Sequence, residues 1–155
     1  MVTRYAKWRS WSPAMQTGVL KQLLAPRTVH GGVGVPARKP DLEGEASVAV
    51  VAAVLDRGDE PERGALRAAA RFLLHELERV SPGRSVEIRV VPVAAVQAVA
   101  GPRHTRGTPP NVVETDPLTW FKLATGRLNW DEALRSGAVQ ASGARSDLSA
   151  FLPLT

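Results

Sequence analysis

The chain of 155 residues contains no cysteine, which excludes disulfides, thiolate nucleophiles and zinc–thiolate sites together. A reducing, cytoplasmic setting fits that absence. Only three histidines are present, His30, His75 and His104, and no two have the close spacing of metal ligands. No serine has a histidine nearby that would make a recognisable nucleophile system. Long apolar runs are also missing: the longest, Ala46 to Leu55, is far short of the ~20 residues that span a bilayer. No apolar core and small-residue cleavage site of a secretory signal appears. Finally, no acidic residue precedes Asp41. These absences leave no support for an enzyme, a metal or a cofactor.

The last of them divides the chain. Residues 1–40 hold seven cations, Arg4, Lys7, Arg9, Lys21, Arg27, Arg38 and Lys39, whereas the remainder is slightly acidic although the whole chain is +5. The excess charge therefore belongs to an arm. Nucleic acid is disfavoured as a partner, because phosphate binding needs cations clustered on a folded surface. The arm (residues 1–44) reads as flexible, with Pro13, Pro26, Pro36 and Pro40, a short helical stretch from Met15 to Leu24, and a glycine loop at Val29 to Val35. That loop is no phosphate cradle, since no Lys-Ser/Thr follows and Pro36 obstructs a helix start. Tyr5, Trp8 and Trp11 among the cations suit transient contact with a membrane surface. The absence of acid also suits an organelle-targeting segment, and Met15 offers an alternative start.

Residues 45–155 read as the ordered domain, rich enough in apolar side chains (44% of the chain) to bury one core. Glu45 to Leu55 predicts a short helix ended by Gly58. Asp59 and Glu62 have capping-box spacing around Pro61. From there Leu66, Ala69, Ala70, Leu73, Leu77 and Val80 recur at helical steps, while Arg67, Arg71, His75 and Glu78 mark the wet face. Ser81-Pro82-Gly83 stops this helix. Ser85 to Val91 alternates as a half-buried strand, Pro92 breaks it, and Val93 to Ala100 resumes a strand with small residues at Ala94, Ala95 and Ala98. After a polar loop, Asn111 to Thr115 suits a strand. Asp116 caps a helix starting at Pro117 and closed by Gly126. Asn129 and Glu132 cap another, closed by Gly137. Ala138 to Ser142 fits a strand, Gly143 a turn and Ser146 to Leu152 a last short helix.

The stretch from Thr115 to Gly143 runs acidic cap, aromatic helix, Gly, second helix, Gly, strand, Gly. In that order it resembles the sterol carrier protein fold. With Ser85-Val-Glu-Ile-Arg-Val, the loop Gly101-Pro-Arg-His-Thr-Arg-Gly-Thr-Pro-Pro and the terminal Ser-Asp-Leu-Ser, it is most similar to actinobacterial-type sterol carrier-like proteins. The resemblance covers residues 62–154. It implies an α/β (α+β) fold: a mostly antiparallel sheet of about five strands covered by helices. It further implies non-catalytic binding or carriage of a sterol, fatty acid or other apolar small molecule between sheet and helices. Similar domains also support the active site of a partner enzyme, so an accessory domain with a closed pocket is the alternative. A long final amphipathic helix and a peroxisomal Ser-Lys-Leu ending are missing here.

Val96, Val99, Trp120, Phe121, Leu123, Trp130, Leu134, Val139, Phe151 and Leu152 are the candidate apolar wall. Arg103, His104 and Arg106 are the candidate polar headgroup site, since two guanidiniums beside an imidazole suit a carboxylate or phosphate. The plainer readings are that the aromatics are ordinary core and that the two arginines pair with Glu114 or Asp116. Glu114 and Asp116 are two apart, but the capping role of Asp116 makes an acid pair there accidental.

Overall fold

Asp41 caps a helix: its Oδ1 accepts from the N–H of Gly44 at 2.9 Å. The computed structural model describes residues 41–101 and 110–154, which belong to the unit Asp41–Leu154. Residues 1–40, with the arm, its Met15–Leu24 stretch and its glycine loop, lie outside the described residues, as do Arg103, His104 and Arg106.

Helix α1 spans Leu42–Asp56 and α2 spans Arg63–Val80. Strands β1 (Val86–Val90) and β2 (Ala94–Ala98) follow, then β3 (Val112–Thr115), α3 (Pro117–Ala124), α4 (Trp130–Arg135) and β4 (Val139–Ser142). The strands form one sheet in the order β2-β1-β3-β4. β1 and β2 pair antiparallel with Ile88 opposite Val96, β1 and β3 run parallel with Ile88 opposite Val113, and β3 and β4 pair antiparallel with Thr115 opposite Val139.

Alternation along the strands sorts the two faces. Val86, Ile88, Val90, Val96, Ala98, Val113, Thr115 and Val139 are buried. On the reverse face Arg89 bonds Glu87 at 2.6 Å and reaches Glu114 at 3.8 Å, with exposed Gln97 and Gln140 alongside. Among the described residues, helices cover one face only. α2 packs against β1, β2, α1 and α3, while α4 packs on β4. α2 lies over the β1–β2 part of this face, where Val96 and Ala98 are buried.

α2 buries Ala69, Ala70, Leu73 and Leu77, as the periodicity predicts, but also Phe72 and Leu74, because α1 and α3 cover its further sides. Val80, expected inward, is 52% exposed at the helix end. His75 sits half-buried beside Glu78 at 3.3 Å. α1 comes very close: a Cβ on Gly44 would lie 2.8 Å from Cβ of Phe72. Arg127 fastens the far end of α1, bonding Asp56 at 3.1 Å with its guanidinium over the Phe121 ring. No helix among the described residues is long and apolar enough to cross a membrane.

Four expectations are corrected. Among the described residues the sheet has four strands, not about five, and is mixed, because β1 and β3 are parallel. Helix α1 begins three residues before Glu45, where Asp41 supplies its cap. Glu62 rather than Asp59 caps α2, its own carboxylate accepting from Ala65 N at 2.8 Å, which leaves Pro61 before the helix. Ser146 to Leu152 makes no helix. Asp147 turns back to the N–H of Ser149, Phe151 closes one turn onto Leu148, and Pro153 disfavours a helical Leu152.

Candidate functional site

Asp116 and Asn129 place the aromatics. The carboxylate of Asp116 accepts from the N–H groups of Leu118 and Thr119 at 2.9 and 3.0 Å and from the Thr119 hydroxyl. This starts α3 so that Trp120, Phe121, Leu123 and Ala124 all turn inward. Burial pushes the Asp116 carboxyl up, but those hydrogen bonds outweigh it and hold the group below the usual carboxylate range. Asn129 accepts from Glu132 N at 2.8 Å and starts α4, burying Trp130 and Ala133. The left-handed turn at Gly126 (φ 71°) lies between them, with the Pro153 ring against it.

Seven of the ten wall candidates are buried: Val96, Val99, Trp120, Phe121, Leu123, Trp130 and Val139. Each large side chain so placed contributes ~1.5–3 kcal/mol. The Trp120 indole N–H donates to the Ala70 carbonyl of α2 at 3.1 Å, so its polar atom is satisfied inside the core. Phe151 and Leu152 are half-buried on the C-terminal tail, which Leu154 N–H ties to Ala124 O at 2.9 Å. Leu134 does not join them. It is 39% exposed because the six residues of α4 turn only Trp130 and Ala133 inward.

Glu114 faces Arg89 at 3.8 Å and Asp116 caps α3; the pairings expected of them with Arg103 and Arg106 lie outside the described residues. Among the described residues no three His, Asp or Glu side chains gather where they could hold a metal. Beside Glu114 and Asp116 opens a recess of about 240 Å³, lined also by Val91, Thr115, Gly137, Ala138 and Gln140. It is below the ~300–1,000 Å³ of sites that bury small-molecule ligands and has as much polar as apolar character. It cannot enclose a sterol.

One feature of the other sheet end escaped the sequence reading. Asn111 donates through Nδ2 to Ser85 O at 2.8 Å and accepts at Oδ1 from Arg145 N at 3.0 Å, while its own carbonyl receives Glu87 N. This clasp joins β1, β3 and the C-terminal segment. Gly143 (φ 93°) allows the approach, since a Cβ there would strike Pro110 O. A single polar residue at a strand start carries no periodicity by which to find it. Close by, Ser85 Oγ is buried and makes no hydrogen bond among the described residues.

A family profile described as bacterial SCP ortholog, SCP denoting sterol carrier protein, matches residues 62–154. The chain belongs to the bacterial sterol carrier protein family. No curated protein matches it. The sterol carrier match takes in α2, the whole sheet, α3, α4 and the C-terminal tail, and leaves α1 and the basic arm outside.

Proposed function

We propose that this sterol carrier family member binds a sterol, fatty acid or other apolar small molecule in the cytoplasm, without covalent chemistry. The guest occupies the layer between the covered sheet face and the helices. One observation supports the reading: within the region matching the family, Val96, Val99, Trp120, Phe121, Leu123, Trp130 and Val139 are all buried. The half-buried Phe151 and Leu152 are the side chains that move first, because the tail gives way more easily than a core helix. Arg103, His104 and Arg106 serve as the headgroup contact.

Native mass spectrometry of the purified full chain, with thermal unfolding in oleate or cholesterol, tests this. A co-purified apolar mass and a raised midpoint are expected. Ligand at a hundredfold excess over Kd contributes about 2.7 kcal/mol. A lipid-free protein whose unfolding neither compound shifts would overturn the carrier reading.

The bond from Trp120 to Ala70 favours a second reading, in which the interior is closed and the domain supports a partner enzyme. That reading expects a stable complex with a separately encoded enzyme and unchanged unfolding in lipid.

A further inference from the structure

Five residues, Ser81 to Ser85, connect α2 to β1, and Pro82 among them cannot continue the helix. This turn rests on Val99, the residue after β2. The Val99 N–H donates to Ser81 O at 2.8 Å, and the Val99 carbonyl accepts from Ser85 N at 3.1 Å. Gly83 presses on the same peptide, where a Cβ would strike Val99 O.

The closed corner carries two costs. Val99 has φ 66° and is the one non-glycine among the described residues with a positive φ. A β-branched side chain fits that left-handed region poorly, and it stays there because the bonds on either side of it hold it. The second cost is the Ser85 hydroxyl, which is buried without a hydrogen-bond partner. Opening the corner removes both together: Val99 returns to extended backbone and the hydroxyl meets water. Two backbone hydrogen bonds and the buried Val99 side chain hold it shut. Opening in the middle of a strand breaks the same kind of bonds and relieves nothing.

We infer that this corner is a strained latch that opens ahead of the rest of the domain and parts the C-terminal end of α2 from β2. The place matters because β2 is an edge strand of the described sheet and α2 packs on it. The neighbouring side chains are all interior: Leu77, one turn before Ser81, and Val86 opposite Ala98, the rung next to Ser85 and Val99, are buried. Released, the latch leads from the sheet edge into the apolar layer. As the way in for a guest it rests on the proposed carrier function; as a local opening it does not.

Hydrogen exchange on the full chain, read as protection factors, tests the latch. The Val99 and Ser85 amides should be at least tenfold less protected than those of Ile88 and Val96 at mid-strand. Ser85→Ala removes the unpartnered hydroxyl and should protect the Val99 amide about tenfold better, although it deletes a buried atom. Position 99 isolates the strain: the Ser85 amide should be about fivefold better protected in Val99→Gly than in Val99→Ala, the reverse of their order in an ordinary strand. Corner amides as protected as those at mid-strand would overturn the inference, and so would Val99→Ala better protected than Val99→Gly. Oleate uptake, followed by tryptophan fluorescence, tests the way in: Ser85→Ala should slow it by the factor seen in exchange, with Kd unchanged. Uptake as fast as in the parent chain would overturn the entry role. A parent chain that binds no oleate would overturn the carrier reading instead, while the exchange result decides the latch by itself.

Discussion

Trp120 and Ala70 are fifty positions apart, yet the indole of one donates to the backbone carbonyl of the other at 3.1 Å with both residues fully buried. The bond fixes α3 against the middle of α2 and decides how far the aromatic helix can lift from the sheet. Trp120→Phe removes the donor and part of the ring. The expected loss in urea unfolding is about 1–3 kcal/mol, the hydrogen bond contributing about 1 and the vacated volume the rest. If a guest binds in this layer, the same variant should admit it more readily, with a larger thermal shift in oleate than the parent chain.

Gly44→Ala separates intrinsic propensity from packing. In an isolated helix the change favours the folded form by up to ~1 kcal/mol. Here the new methyl meets Cβ of Phe72 at 2.8 Å and the capping carboxylate of Asp41 at 2.7 Å. The carboxylate can swing away, but a Cβ cannot move without its backbone. The net result should be destabilising by about 1–3 kcal/mol in denaturant titration. A stabilised variant would mean that α1 sits further from α2.

Asn111→Ala breaks the clasp between β1, β3 and the C-terminal segment. Ser85 O and Arg145 N lose their side-chain partners, and a cost of about 2–3 kcal/mol is expected by urea unfolding. Asn111→Asp tests the geometry, because it keeps the acceptor for Arg145 N but loses the donor to Ser85 O. At neutral pH it should be at least as unstable as the alanine variant, because a buried carboxylate oxygen then faces the Ser85 carbonyl.

Asp116 should make stability pH-dependent. Its folded pKa lies below the ordinary value, so the unfolded chain binds the proton more readily. The contribution is present above the unfolded pKa of about 3.9 and is lost as pH falls through the lower folded value. Asp116→Asn keeps a capping oxygen without the charge. The gap between parent and variant should stay constant above about pH 5 and shrink below about pH 4. Asp116→Ala should cost about 1 kcal/mol at pH 7.

What could be read in the sequence was local. Asp116 before Pro117, and Asn129 before Trp130, announce their helices because capping chemistry acts within three residues. The strand positions followed from alternation at Val86, Ile88 and Val90. All four strands were visible in the residues themselves. The expected fifth came from family likeness alone. The parallel neighbours β1 and β3 were not legible, since pairing depends on how the chain from β2 crosses the sheet end, and no residue pattern encodes that path. At the candidate site, bulk and period found the buried aromatics but misplaced Leu134. Which side of a six-residue helix faces inward is decided by its docking on β4, not by a moment spread over so few residues. The Asp59–Glu62 spacing misled for a simpler reason: Glu62 reaches its own helix and needs no second residue.

With the helices of the described residues on one side of the sheet, alternate strand positions live under different rules. Gln97 and Gln140 can change with little thermodynamic consequence, whereas Ile88, Val96 and Val139 cannot. Tolerance should thus oscillate residue by residue along β1 and β3, giving a ready reserve of sites where dyes, tags or new specificities can be installed without disturbing the interior.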